Sequence, residues 1–106
     1  MMNLQEQVAL IEKIRTNLKR VYDPELNINV VDLGLIYDIS LLEDRVAAIT
    51  MTLTTPGCPL HDSIVSGVRY CVEEMEEIDE VDVQLVWEPA WTPEKMTEDG
   101  LRAIGR

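Results

Sequence analysis

Two runs of strand-forming residues lie close together in the middle of the chain, LIYDISLL at 35–42 and VAAITMTLT at 46–54. Only three polar residues separate them, Glu43, Asp44 and Arg45. A turn this short joins antiparallel neighbours, because parallel strands need a long crossover. In the second run apolar residues alternate with threonines, which predicts one buried and one polar face. The pattern therefore predicts a β-hairpin that forms the start of a sheet.

Helical patterns flank this hairpin on both sides. The first, over 4–21 behind the N-cap residue Asn3, is an apolar stripe of Leu4, Val8, Ile11, Ile14, Leu18 and Val21. A second stripe covers 59–77, and an alternating strand pattern follows over 81–87. The order α-β-β-α-β, with one or two short helical turns after it, predicts an α+β two-layer domain with helices on one face of a small three-stranded sheet. Which hairpin strand the third strand joins stays open.

Composition and charge limit the classes of partner. The length of 106 residues and the hydrophobic fraction of 46% are typical of one globular domain over residues 1–106. The net charge of -11 argues against nucleic acid and anionic membrane as partners, because both attract basic proteins. The start MMNLQEQVAL has no basic and apolar leader, and no apolar run approaches the roughly 20 residues of a membrane span. We therefore expect a cytoplasmic protein.

The stretch TTPGCP at 54–59 joins the second strand to the second helix. Pro59 suits the first helical position, which makes Cys58 the N-cap residue. Unpaired N–H groups and the helix dipole at such a position favour the thiolate, so Cys58 is the candidate reactive or metal-binding thiol. Thr55 and Gly57 support the turn, and Gly57 allows a partner to approach the backbone closely.

Two other residues of this helix bear on metal chemistry. His61 lies three residues after Cys58, where both can face one ligand. One cysteine and one histidine are too few for a structural zinc site, which takes four ligands. Cys71 falls on the apolar stripe and is predicted to be a core residue. About 20 Å of helix separates the two cysteines, so no disulfide between them is expected.

Polar motifs also flank the hairpin. In DPEL, Asp23 and Glu25 enclose Pro24, which limits the first helix; the two acids suit either turn capping or an acid/base pair. In VDLGLIY, Gly34 predicts a bulge or a close backbone contact. Asp32 in the same motif either caps a turn or reaches the cysteine turn.

The last part of the chain offers two candidate surfaces. WEPAWTPEKM at 87–96 contains Trp87 and Trp91, which either cover a core edge or bind a partner. Thr92 followed by Pro93 predicts an N-cap and a first helical position. Seven of the ten residues over 73–82 are acidic, which indicates either a solvated face or a docking surface for a basic partner.

Taken together and in this order, DPEL, VDLGLIY, TTPGCP and the WEPAWTPEKM segment resemble the SufT/PaaD-like family of iron–sulfur maturation proteins. The resemblance implies an α+β domain of the iron–sulfur assembly type. It implies a non-enzymatic accessory factor that works with Suf-type machinery and helps deliver clusters to apo-protein clients. The family's cysteine falls on Cys58, and its acidic pair falls on Asp23 and Glu25. The extra C-terminal cysteines of the PaaD branch are absent, which favours the SufT-like branch.

Several mechanisms remain open at this point. A transient iron–sulfur cluster or iron atom on Cys58, shared by two chains of a homodimer, is one hypothesis, because a cluster normally takes four cysteines. Contact of Cys58 with a client or scaffold, without metal, is another. A thiol enzyme would use Cys58 as nucleophile and Glu25 or His61 as base. A pure interaction adaptor would use the acidic run and the tryptophan segment.

Overall fold

The computed structural model describes residues 3–23, 26–43, 45–54 and 61–103. Its helices are α1 (Leu4–Leu18), α2 (His61–Glu73), α3 (Glu98–Ala103) and a 3-10 turn at Pro93–Lys95. Its strands are β1 (Tyr22–Asp23), β2 (Ile28–Asn29), β3 (Ile36–Glu43), β4 (Val46–Met51) and β5 (Glu80–Leu85). This order confirms the predicted α+β class.

The main sheet has the strand order β3-β4-β5. β3 pairs antiparallel with β4, as the short turn predicts, and β5 pairs parallel with β4 after the crossover through α2. The third strand therefore joins the second strand of the hairpin, the point that the sequence left open. The register places Ile36, Met51 and Leu85 side by side at one end of the sheet. We call this end of the sheet the Met51 end.

One face of the sheet packs against helices. Along β4 buried and half-buried residues alternate, as expected when one face is covered. α1 contributes Leu10, Ile14 and Leu18 to the core. The prediction that Leu4 and Val8 belong to the same buried stripe is wrong, because they are 75% and 53% exposed. The first buried position of α1 is Leu10, so the first turns of the helix lie beyond the core.

α1 is shorter than predicted, and a second sheet follows it. The helix ends at Leu18 rather than at residue 21. The Val21 carbonyl accepts a hydrogen bond from Val30 N–H at 2.9 Å, so this segment pairs with a strand instead of continuing the helix. β1 and β2 form an antiparallel two-stranded sheet that the sequence did not predict. Asp23 of DPEL is therefore the last residue of β1, so the motif does not close the helix.

The other boundaries also differ from the predicted ones. α2 ends at Glu73 rather than at residue 77, and its predicted start at residue 59 lies outside the described residues. Crowded carboxylates oppose the dipole at that C-terminus, and the chain turns so that Met75 and Ile78 are buried in the core. β4 stops at Met51 rather than at residue 54, and β5 covers Glu80–Leu85 rather than 81–87.

Candidate functional site

Strand order brings three of the sequence motifs to the Met51 end. β3 starts there, whereas β4 and β5 finish there, so VDLGLIY, TTPGCP and WEPAWTPEKM all adjoin this end. Main-chain bonds extend the pairing beyond the strands. Thr52 N–H donates to Leu35 O at 2.9 Å, and Val86 N–H donates to Met51 O at 2.8 Å.

The cysteine turn itself lies outside the described residues. Thr55, Gly57, Cys58 and Pro59 all belong to the segment 55–60, which separates two described parts of the chain. Their predicted roles therefore stay predictions. The backbone is described up to Thr54 and again from the start of α2, and the side chain at position 61 is also outside the described part. In the sequence, Cys58 therefore lies between β4 and α2.

Asp23 has the contacts of a turn residue. Its side chain is 5% exposed, and its carboxylate accepts a hydrogen bond from Leu26 N–H at 3.1 Å. Its carbonyl accepts from the N–H of Asn27, which has a positive φ of 56°. These bonds support the turn-capping alternative for Asp23. Pro24 and Glu25 lie outside the described residues, so the acid/base alternative stays a prediction.

Asp32 attaches the C-terminal segment to the VDLGLIY loop. Its carboxylate accepts hydrogen bonds from the Asn29 amide at 2.6 Å and from the Thr97 hydroxyl at 2.9 Å. Its main-chain carbonyl accepts from Thr97 N–H at 2.9 Å. Asn29 belongs to β2, so Asp32 also connects the loop to the small β1–β2 sheet. Asp32 does not cap a turn through these bonds, because both donors to its carboxylate are side chains; instead Asn29 Oδ1 accepts from Asp32 N–H at 2.9 Å. The alternative that Asp32 reaches the cysteine turn stays a prediction, because that turn lies outside the described residues.

Gly34 makes the close backbone contact that its position predicts. It has a φ of +79°, and a Cβ atom built on it would lie 2.7 Å from the carbonyl carbon of Lys95. Only glycine allows the chain at Lys95 to lie directly on this loop. The Gly34–Lys95 contact fixes the position of the 3-10 turn at Pro93–Lys95, whose N-cap residue Thr92 makes no side-chain cap bond.

The two tryptophans have different environments. Trp91 is partly buried and packs against the core, and its indole N–H donates to Leu33 O at 2.6 Å. Trp87 is 40% exposed just beyond β5. Trp91 therefore covers a core edge, which was one of the two predicted alternatives, whereas Trp87 is available for contact with a partner.

Tyr37 and Lys95 belong to this region, and sequence reasoning missed them. The Tyr37 hydroxyl donates to Pro89 O at 2.6 Å, and the Lys95 ammonium lies 5.1 Å from the centre of the Tyr37 ring. Burial is the main cause that raises the pKa of Tyr37, so the phenol stays protonated at neutral pH. In the sequence, Tyr37 is part of VDLGLIY and Lys95 is part of WEPAWTPEKM, but nothing in either motif shows that the two side chains meet.

Cys71 is a structural thiol. It is 6% exposed, and its sulfur lies 3.1 Å from the carbonyl oxygen of Asn17. Burial is the main cause of its raised pKa, ahead of the opposing effect of Arg20 and the smaller raising effect of Glu74. The predicted core role is confirmed, and the thiol is free.

The acidic run is partly neutralised within the molecule. Glu77 pairs with Lys13, Asp79 pairs with Arg45 at 2.8 Å, and the carboxylate of Glu74 lies 4.0 Å from Arg20. Three of the seven acidic residues in this run therefore form ion pairs within the molecule. This weakens the case for the acidic run as a docking surface for a basic partner. Among the described residues no group of three or more His, Cys, Asp and Glu side chains could hold a metal ion. None of the described helices is both long and apolar enough to cross a membrane.

Comparisons with known proteins agree with this architecture. A Fe-S protein maturation auxiliary factor of Bacillus subtilis, YitW, is 43% identical over 97 residues, which are 92% of this chain and 95% of that protein. The corresponding factor SufT of Staphylococcus aureus is 39% identical over 85 residues, which are 80% of this chain and 97% of that protein.

A solved structure shows the same fold. The crystal structure of a domain of unknown function from Bacillus anthracis matches with a TM-score of 0.92 and 40% identity, over 97% of this chain and 98% of that one. The family model described as iron-sulfur cluster assembly protein matches residues 11–85. The chain therefore belongs to the iron–sulfur cluster assembly protein family, on its SufT/PaaD-like side.

Proposed function

We propose that this protein is an accessory factor in iron–sulfur cluster maturation. It takes up iron or a cluster transiently through Cys58 and helps deliver it to apo-protein clients, without catalysing a reaction of its own. In this proposal residues 1–106 act as one domain, in the cytoplasm, beside Suf-type assembly machinery. The cluster is cargo, which arrives from one partner and leaves with another.

The convergence of the motif segments carries this proposal. In the sequence Cys58 lies between β4 and α2, and β4 finishes at the Met51 end, where β3 begins after the VDLGLIY loop and β5 finishes before the tryptophan segment. α2 has 13 residues, long enough for its N-terminal dipole and unpaired N–H groups to favour a thiolate. The buried Cys71, whose pKa is raised, lacks these conditions.

The ligand count supports transfer rather than storage. An iron–sulfur cluster normally takes four thiolates, and the sequence has two cysteines, of which Cys71 is in the core. The described residues supply no alternative group of ligands. Cys58, with or without His61, would therefore share the cluster with a second copy of the chain or with a partner protein. Such incomplete coordination leaves the cluster open to attack by the thiolates of a client.

The decisive experiment measures iron and sulfide content after anaerobic reconstitution. Wild type, Cys58→Ala and Cys71→Ala are compared, so that both cysteines are tested by the same substitution. We expect stoichiometric iron and sulfide in wild type and Cys71→Ala, and loss of both in Cys58→Ala. Retention by Cys58→Ala, or no binding by wild type, would refute cluster binding at this thiol. Sedimentation of the loaded protein then reports whether two chains share the cluster.

A further inference from the structure

A groove lies at the Met51 end, beside the segment that leads to Cys58. Its lining residues are Gly34, Ile36, Tyr37, Pro89 and Lys95, and its volume is about 480 Å³. The ring of Tyr37, the proline ring and the Ile36 side chain give it apolar walls. Leu35, between the lining residues Gly34 and Ile36, accepts a main-chain hydrogen bond at 2.9 Å from Thr52, which follows β4 directly.

Several contacts hold this groove in shape. The main chain of Lys95 lies against Gly34, where no side chain would fit. The Tyr37 hydroxyl bonds to Pro89 O, and Thr97 bonds to Asp32 through both its N–H and its hydroxyl. The ammonium of Lys95 lies over the Tyr37 ring, 5.1 Å from its centre. A site that is ordered before binding loses less conformational entropy when a ligand arrives.

The groove presents a positive charge on an acidic protein. Within the described residues Lys95 has no carboxylate partner, and the same holds for Arg15, Lys19 and Arg69; Lys95 is the cation of this group that lines the groove. The net charge of -11 repels polyanions such as nucleic acid. A single carboxylate can still bind here, because the Lys95 ammonium compensates its charge locally and the mostly apolar walls can contact its apolar neighbour.

We propose that this groove binds an extended segment of an apo-protein client that carries one Asp or Glu beside an apolar residue. The inference rests on the proposed function, because it names the partner class that would receive the cluster. The carboxylate would pair with Lys95, and the apolar neighbour would lie against Tyr37 and Pro89. Bound in this way, the segment would bring the client next to the chain that leads to Cys58.

The test uses two libraries of eight-residue peptides with a fixed central residue and random Ala, Val, Leu and Pro around it. The central residue is Glu in one library and Gln in the other. Amide chemical shifts of 15N-labelled protein are followed during titration, with attention to residues 34–37 and 87–96. We expect the Glu library to shift these amides with an affinity about tenfold higher than the Gln library, equivalent to about 1.4 kcal/mol.

Two matched variants identify the charge responsible. Lys95→Gln should abolish the difference between the libraries, whereas Lys19→Gln, at the exposed C-cap of α1, should leave it intact. Equal binding of both libraries, an unchanged difference in Lys95→Gln, shifts confined to other surfaces, or no shift at all would overturn the proposal. Shifts of the groove amides that depend on protein concentration without peptide would also overturn it, because a second copy would then occupy the groove.

Failure of this inference can be distinguished from failure of the proposed function. Lys95→Gln should bind iron and sulfide as wild type does, and Cys58→Ala should retain the preference for the Glu library. Iron binding without a peptide preference would refute the groove alone. A peptide preference without iron binding by wild type would refute the cluster role and leave the groove supported as a peptide site.

Discussion

Substitution of Gly34 by alanine should lower the free energy of unfolding by about 3 kcal/mol. Left-handed backbone costs an L-residue roughly 1–2 kcal/mol, and Gly34 has a φ of +79°. The new Cβ would also lie 2.7 Å from the carbonyl carbon of Lys95, nearer than real Cβ contacts allow. The chain at Lys95 must therefore move away from the loop.

That movement would disturb the bonds that hold the C-terminal segment. Thr97 N–H lies 2.9 Å from Asp32 O, and the Trp91 indole lies 2.6 Å from Leu33 O, so both contacts are adjacent to the displaced chain. Loss of one such hydrogen bond costs roughly 1 kcal/mol. Loss of both bonds, added to the backbone strain, gives about 3 kcal/mol. This is a large part of the roughly 5–15 kcal/mol that stabilises a typical domain.

Urea denaturation at neutral pH measures the change directly, and Gly67→Ala is the matched control. Gly67 lies within α2, and a Cβ there would be 3.3 Å from a methyl group of Val21. Alanine gains roughly 1 kcal/mol of helix propensity, which that tight contact opposes, so we expect a net change within about 1 kcal/mol. If Gly34→Ala is no less stable than Gly67→Ala, the reasoning about the loop is wrong. Hydrogen exchange at Thr97 N–H reports whether the C-terminal segment has moved.

Three further predictions concern single contacts. Trp91→Phe should lower the unfolding free energy by roughly 1–2 kcal/mol in urea, because Leu33 O loses its donor; a change below about 0.5 kcal/mol would contradict this. Iodoacetamide at neutral pH should modify Cys58 in the native protein and Cys71 only after unfolding, since Cys71 is buried and its pKa is raised; peptide mass spectrometry distinguishes them. Hydrogen bonds from Lys13 and Arg45 lower the pKa values of Glu77 and Asp79 in the folded protein. The two ion pairs therefore stabilise the fold fully at pH values above the unfolded-state pKa of each carboxyl. This stabilisation is lost as the pH falls through the lowered folded-state pKa values. Urea midpoints from about pH 5 down to pH 2 should therefore fall less in a Lys13→Gln, Arg45→Gln double variant than in wild type.

Local patterns predicted those parts of the fold that depend on local physics. The hairpin follows from two strand-like runs on either side of a three-residue turn, the second of which alternates with a period of two, and the antiparallel pairing of β3 with β4 confirms it. The ends of the helices depend on tertiary contacts instead. Val21 leaves the helical pattern because its carbonyl pairs with Val30, a partner that the helix period does not reveal. β1 and β2 have two residues each, too few for an alternating pattern.

The candidate site was also predictable only where it depends on local sequence. The loop containing Asp32 and Gly34 could be identified because glycine in an otherwise strand-like run implies an unusual backbone or a close neighbour. The identity of that neighbour, Lys95, could not be inferred, because 61 positions separate the two residues and no local rule relates them. The meeting of Tyr37 with Lys95 was missed for the same reason.

Under the proposed function, the contacts at the Met51 end would serve both fold stability and cluster delivery. Asp32, Gly34 and Tyr37 hold the segment around Pro89, Lys95 and Thr97 beside the end of the sheet, and Gly34 and Tyr37 also line the groove. A delivery factor needs a thiolate that binds its cargo weakly and a separate surface that selects the recipient, because one group cannot both release the cluster readily and discriminate among clients. Cys58 and the Lys95 groove would divide these two tasks between chemically different groups at the same end of the molecule. The buried Cys71 contributes to neither task, which explains why a chain with two thiols would offer only one to a cluster.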